Sequence, residues 1–370
     1  MNSSDVAAPR PSPFEARPAE EAGRAPQGDG ESETTAAIAI CLLILLSALP
    51  SAALAQGAGG FYRGKTVTLL IGVNVGGSYD RDARLIARHL GAHIPGNPTV
   101  VPQNMIGGGG IAMANHMQTV AVKDGTVIGM MPNTLPMNEM SGMAGVRYDI
   151  GKFRWIGSMM PPAHSAMVSW HTTGVRSIDD ARRRTITAGA SPKGSFVYTM
   201  PALLNEYLGT KFKIVAGYQG IASVYLAMER GEVESQGVTW GEFRIARPQL
   251  VKDRKINVLV QSTPKSPDLM DVPTLDELAQ SDDDRGIIGF LLSGDRLGRP
   301  LAAPPGTPDD RVKVLRAAFD ATMKDEGFLK EVEASRAEFG PISGEALEAG
   351  VAGILKTPPQ WVDRARKILE

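Results

Sequence analysis

Three stretches of this chain combine glycine with hydroxyl side chains in a way that could hold an anion: Gly76-Gly77-Ser78-Tyr79-Asp80, the run Gly107 to Gly110, and Ser191-Pro192-Lys193-Gly194-Ser195. Each follows a short apolar run and precedes an amphipathic one, so each reads as the turn between a strand and the start of a helix. At such a turn the first helical N–H groups lack an intrahelical acceptor and the helix dipole is positive, which suits a carboxylate. One helix end contributes up to about 2 kcal/mol to a partly buried charge, and one charge-assisted hydrogen bond about 1.5–3 kcal/mol. Two or three such turns meeting at one point, helped by apolar contacts, would hold a carboxylate at about micromolar affinity after association costs of several kcal/mol. The competing reading of each turn is that glycine merely lets the chain pass from strand to helix.

Other chemistries fit the residues less well. Gly107-x-Gly109-x-x-Ala112 partly matches a dinucleotide-binding turn, but it lacks an acidic ribose partner about 20 residues on and belongs to the second βα unit. His89 and His93 stand four apart, as metal ligands on a helix do, yet they straddle Gly91 and have no third ligand near them in sequence. Ser191 and Ser195 lack the G-x-S-x-G elbow of a hydrolase. Asp80 and Asp82 are two apart at a helix start, on different faces, which favours dipole pairing over acid–base work. Methionine, concentrated between Met105 and Met167, suits irregular packing or the wall of an apolar site better than a soft-metal centre. We therefore expect a binding protein with no catalytic residue, no metal and no cofactor.

The elements that position these turns are legible from pattern. Val67 to Ile71 reads as a buried strand, followed by a helix in which Ala83, Ile86, Ala87 and Leu90 keep helical spacing. Thr99 to Val101 is a second strand, Ile111 to Val120 a second helix and Val127 to Met131 a third strand. After a crossing near Trp155 to Pro161 the alternation resumes. Ser177 with Asp180 forms a capping box, Thr185 to Ala188 a strand and Ser195 to Leu208 a helix; Lys213 to Val215, Ile221 to Glu229, Val233 to Thr239 and Asn257 to Val260 follow. Thr307-Pro308-Asp309-Asp310 opens a helix with proline at its first position, and the chain closes in helices. Such alternation predicts an α/β fold with mainly parallel sheets.

With 370 residues, 43% hydrophobic and 21% charged, the chain has the make-up of a globular protein large enough for two domains. A formal net charge of −1 without a concentrated basic face excludes nucleic acid as a partner. Residues 1 to 35 have too few large apolar side chains for a core and read as disordered. The apolar run Ala36 to Leu49 is short for a membrane span but suits a signal-peptide core, and Ala53-Leu54-Ala55 suits cleavage after Ala55. Asp29, Glu31 and Glu33 occupy the place of the usual positive n-region, which makes this long leader atypical. The reading predicts export to the periplasm. The lone cysteine, Cys41, would leave with the leader, and the loss of three arginines and seven acids would bring the mature chain to +3.

The segment Phe61-Tyr62-Arg63-Gly64-Lys65, the first glycine turn, and Pro102-Gln103-Asn104 running into Gly107 to Gly110 resemble the solute receptors of tripartite tricarboxylate transporters, the Bug receptors. Lys123-Asp124-Gly125-Thr126, Tyr218-Gln219-Gly220, Ser266 to Thr274 and Ala303-Pro304-Pro305-Gly306-Thr307-Pro308 continue the likeness, in order, across the mature chain. The resemblance implies a periplasmic-binding-protein fold of the class II type. Two α/β lobes, residues 61–157 with 284–370 and residues 158–283, would close about a hinged cleft like a Venus flytrap. It also implies a monomer that binds a small organic acid and hands it to membrane permease subunits. The ligand groups carried over are the amides of Gly76, Gly77 and Ser78 with Tyr79 and Asp80, the second turn at Gly108 and Gly109, and Ser191, Lys193, Gly194 and Ser195. Tyr218, Gly220, Thr239 and Trp240 would border the cleft, Trp240 either as a core aromatic or as a wall for the ligand. Val75 and Ile106 stand where the family has proline. Gly77→Val is expected to obstruct both the turn and the ligand. The alternatives are a ligand-sensing module docked on a sensor kinase and an enzyme acting on a carboxylate.

Overall fold

In the computed structural model residues 58–369 are described. The leader, the apolar run with Cys41 and the expected cleavage site lie outside the described residues. Strand β1 (Thr66–Ile71) is apolar along most of its length because both its faces are covered. Val67, Leu69 and Ile71 share a core with Ala83, Ile86 and Leu90 of helix α1 (Ser78–His93), whereas Leu70 turns to a second core with Met113 and Met117 of helix α2 (Ile111–Thr119). That alternation is the period-two geometry of a strand.

Two sheets result. In the first, β1 lies between β2 (Thr99–Asn104) and β3 (Val127–Met130), parallel to both. Beyond β3 come β10 (Pro300–Ala303), β4 (Arg154–Ser158) and β11 (Ile342–Ser343), all joined antiparallel. The second sheet has the order β7-β6-β8-β5-β9, from strands Phe212–Ala216, Ile186–Ala190, Ser235–Thr239, Ser165–Trp170 and Ile256–Gln261. There β6 is parallel to β7 and β8, and β5 antiparallel to β8 and β9. Both sheets are therefore mixed. The expected parallel pairing holds within the βα units; the strands by which the chain changes sheet, β4, β5, β9 and β10, take antiparallel partners, because no crossover helix returns them to the same edge.

The chain passes to the second sheet between β4 and β5 and returns between β9 and β10. Its largest apolar cluster runs through both sheets, from Leu70 and Trp155 to Met167, Leu203 and Leu259. Helix α6 (Asp282–Leu291) and the C-terminal helix α10 (Pro359–Leu369) contribute to it, and the Arg364 guanidinium of α10 lies 5.6 Å from the ring of Tyr207 on helix α3 (Phe196–Leu208). Ser177 caps its helix, its hydroxyl accepting from the Asp180 N–H at 3.2 Å, but the return bond of the expected capping box is replaced by the Arg176 N–H donating to Asp180 Oδ2 at 3.0 Å. Pro308 sits at the cap of helix α7 (Asp309–Thr322), one place earlier than expected. Among the described residues no helix is long and apolar enough to cross a membrane.

Candidate anion-binding seam

The three turns singled out by their residues lie at strand ends as expected. Gly76 and Gly77 follow β1 and lead into α1, Gly107 to Gly110 follow β2 and lead into α2, and Ser191 to Ser195 follow β6 and lead into α3. The last two come from different sheets and meet: a Cβ on Gly109 would stand 3.6 Å from both the carbonyl carbon and oxygen of Gly194 and 3.9 Å from the Ser195 nitrogen. Gly109 has φ of +65° and Gly194 +84°, so the backbone calls for glycine at both, and at Gly194 a Cβ would also meet Met143 Sδ at 2.6 Å. Asn138 reaches the same place, its Nδ2 donating to the Gly194 carbonyl at 3.3 Å. Two polar atoms at this contact are buried without a partner, the Ser195 hydroxyl and Asn138 Oδ1. Such groups cost about 1–3 kcal/mol each when unpaired.

The first turn is partly committed within the chain. The Gly76 N–H donates to Asp80 Oδ2 at 2.9 Å, and Asp80 also accepts from Arg84 and from Asn104 Nδ2. Burial pushes the Asp80 carboxyl up, but these donors outweigh it and hold the group below the usual range. The Ser78 hydroxyl donates to Glu242 Oε2 at 2.7 Å. An incoming anion is left the orphaned first N–H groups of α1. Gly77 has φ of −77°, and a Cβ there would meet only the Asn74 carbonyl at 3.8 Å, so the expectation that Gly77→Val disrupts the turn is corrected. Gly76, with φ of +84°, is the position of this turn that needs glycine.

Sequence reasoning missed the charged cluster beneath that turn. Arg299 is buried and ion-paired with both Asp82 of α1 and Glu242 of helix α5 (Trp240–Ala246), so Glu242 joins the second sheet's helix to the first sheet. The guanidinium also lies 4.8 Å from the Tyr79 ring, and the Tyr79 hydroxyl accepts from the Asn133 N–H at 3.3 Å. Burial raises the Tyr79 hydroxyl, opposed by Arg299. It likewise raises Glu338, again opposed by Arg299. At the base of the seam burial pushes the Asp295 carboxyl up to about 7, against the nearby Ser165 and Ser262, and its Oδ2 has no partner. Acids outnumber Arg299 here, so an anion is better received at the Gly109–Gly194 contact. No signal in sequence could tie Asp82 to Arg299 across 217 positions.

The remaining expected residues frame the seam unevenly. Tyr218 is half-buried with its N–H on the Ala190 carbonyl, and Gly220 caps helix α4 (Ile221–Glu229). Asn74 donates to the Gln219 carbonyl from the other sheet's side. Thr239 ends β8 and caps α5; Trp240 is buried and stacked on Phe243 with centroids 6.0 Å apart, its indole N–H unpartnered. Gly108 has φ of +55° beside Gly109, Ser191 is buried, and the Lys193 ammonium lies 5.9 Å from the Tyr198 ring. Val75 and Ile106, beside the two first-sheet turns, are exposed. His89 and His93 pair with Asp325, and His89 also with Glu331, tying α1 to helix α8 (Glu326–Ser335). Among the described residues no group of acids, histidines and cysteines could hold a metal.

Two mixed α/β sheets, between which the chain passes once in each direction and whose helix-starting turns meet, are also the architecture of solved periplasmic binding proteins. Solved structures agree on that fold. The chain is similar to the periplasmic binding protein BugD, with a TM-score of 0.62 and 21% identity over 83% of this chain and 98% of BugD. It is similar to MatC from Rhodopseudomonas palustris with bound malate, with a TM-score of 0.61 and 19% identity over 83% and 99% of the two chains. An R. palustris protein solved with adipate gives 0.61 and 21% over 83% and 97%. No protein-family profile matches the chain, and no curated protein matches it by sequence.

Proposed function

We propose that this chain is an extracytoplasmic receptor that binds a small organic carboxylate at the seam between its two sheets and delivers it to a tripartite tricarboxylate-type membrane permease, without transforming it. The observation that carries the reading is the buried, unpartnered Ser195 hydroxyl at the point where glycine turns of the two sheets meet. A carboxylate oxygen there would satisfy it and gain the positive start of α3. Neighbours of the same fold were solved with malate and adipate, which supports a carboxylate as the class of ligand. One neighbour is described as a periplasmic transporter, which favours delivery over sensing.

On this reading the sheets mark two lobes, residues 61–157 with 284–370 and residues 158–283, with the C-terminal helix reaching across to α3. The receptor acts as a monomer in the periplasm after loss of its leader near Ala55. Contacts such as Ser78–Glu242 and Asn74–Gln219 exist only when the turns are together, so a ligand that adds to them shifts the chain toward the closed form.

A thermal-shift screen of organic acids tests the proposal, because a binder at about 100 times its Kd adds about 2.7 kcal/mol of stability. At least one dicarboxylate or aromatic acid is expected to raise Tm, and replacing Ser191 and Ser195 by Ala to weaken that acid about tenfold or more. A panel that leaves Tm unmoved, or an affinity untouched by both changes, would remove the seam from consideration.

A further inference from the structure

A cavity of about 490 Å³ opens between α6, helix α9 (Gly344–Ile354) and α10, and none of its lining residues belongs to the seam. Its charge is one-sided. Arg285, Arg296 and Lys356 line it and no acid does. Arg285 is paired with Asp282 at 2.7 Å, but among the described residues Arg296 and Lys356 have neither an ion pair nor a side-chain hydrogen bond. Ser293 also lines the cavity; it is 93% buried and its hydroxyl has no partner, which in a folded interior is an unusual and costly state. The indole of Trp361 lies against Gly286, its N–H donating to Asp283 at 3.1 Å, so the ring is held in one orientation at the wall. Gly289 and Gly353 line the same space, and a Cβ on either would meet nothing within 4 Å. Smooth glycine walls, a fixed indole and two uncommitted cations are complementary to a flat ligand with a negative end.

We propose that this cavity is a second ligand site that takes a planar aromatic anion, its charge held between Arg296 and Lys356 and its ring laid against Trp361. The site does not depend on the seam's ligand, since it shares no residue with the turns. An effector or a co-ligand of this class would bind whether or not the seam is filled.

Calorimetric titration of the full chain with 2-naphthoate tests this. Saturable one-site binding is expected, weakened about tenfold or more in the double variant Arg296→Glu/Lys356→Glu, whose side chains are exposed and whose fold is thus preserved. Gly353→Leu, which fills open space, should abolish the binding, and neutral 2-naphthalenemethanol should bind about tenfold more weakly than the acid. Gly109→Val, which alters the seam, should leave naphthoate affinity unchanged. Absence of binding, or equal affinity in the double variant and in the wild type, overturns the proposal. Loss of naphthoate binding in Gly109→Val with retention in Gly353→Leu would assign the heat to the seam and overturn it as well.

Discussion

Arg299 decides most of the electrostatics at the seam. It is removed from water together with Asp82, and its loss leaves Asp82 with only the part-exposed Arg81 and takes the guanidinium away from Glu242. Arg299→Leu is expected to cost about 3–5 kcal/mol in urea unfolding, with part of the loss recovered when Asp82→Leu is added and the rest left with Glu242. A single variant as stable as the wild type would show the pair to be solvated. Asp295 supplies a pH signature of the opposite kind to a salt-bridged acid. Its carboxyl titrates near 7 in the folded chain against an ordinary value of 3.8. Between those values the unfolded chain has released a proton that the folded chain keeps, so this group's contribution falls as pH rises and levels off above about 7. Asp295→Asn should therefore gain stability relative to the wild type at about pH 8 and gain much less at about pH 4, by on the order of a few degrees in Tm. An equal difference at both pH values would contradict the assignment. None of this was legible from sequence, where Arg299, Asp295 and Glu242 are ordinary charged residues and become a cluster only through long-range packing.

At the scale of elements, the sequence showed the βα units well and the connecting strands poorly. Helix α4 begins and ends where its apolar spacing does, the strands expected at 67–71 and 257–260 extend by one and two residues, and the one expected at 185–188 lies at Ile186–Ala190. By contrast β4 (RWIGS), β5 (SAMVSW) and β10 (PLAA) were not recognised as strands. Their Ser, Gly, Ala, Met and Pro content is weakly β-forming, and they are strands because both neighbours supply ladder partners, which a local pattern does not contain. The glycine turns were legible because their function and their geometry demand the same residue. Not every glycine does, however: Gly109→Val, at φ of +65°, is expected to strain its turn and weaken binding of a seam acid about tenfold or more, whereas Gly77→Val, at φ of −77°, should retain a near-native Tm. The reverse order, measured by calorimetric titration and melting of both variants, would mean that the first turn and not the 109–194 contact closes the seam.

Across the whole molecule, the ordered series of weak motifs led to a periplasmic-binding-protein fold, and the two sheets and the solved neighbours agree with that fold. Sequence did not foretell that one apolar cluster would run through both sheets, nor that α10 would pack onto α3. Any closing motion must therefore bend the two connections between sheets while that shared cluster stays packed. A crystal structure of the chain with the tightest acid of the screen is expected to show a carboxylate oxygen within about 3.2 Å of the Ser195 hydroxyl or of an N–H in the turns at 76–78, 107–110 or 191–195. An acid ordered elsewhere, with the Ser195 hydroxyl still unpartnered, would contradict it.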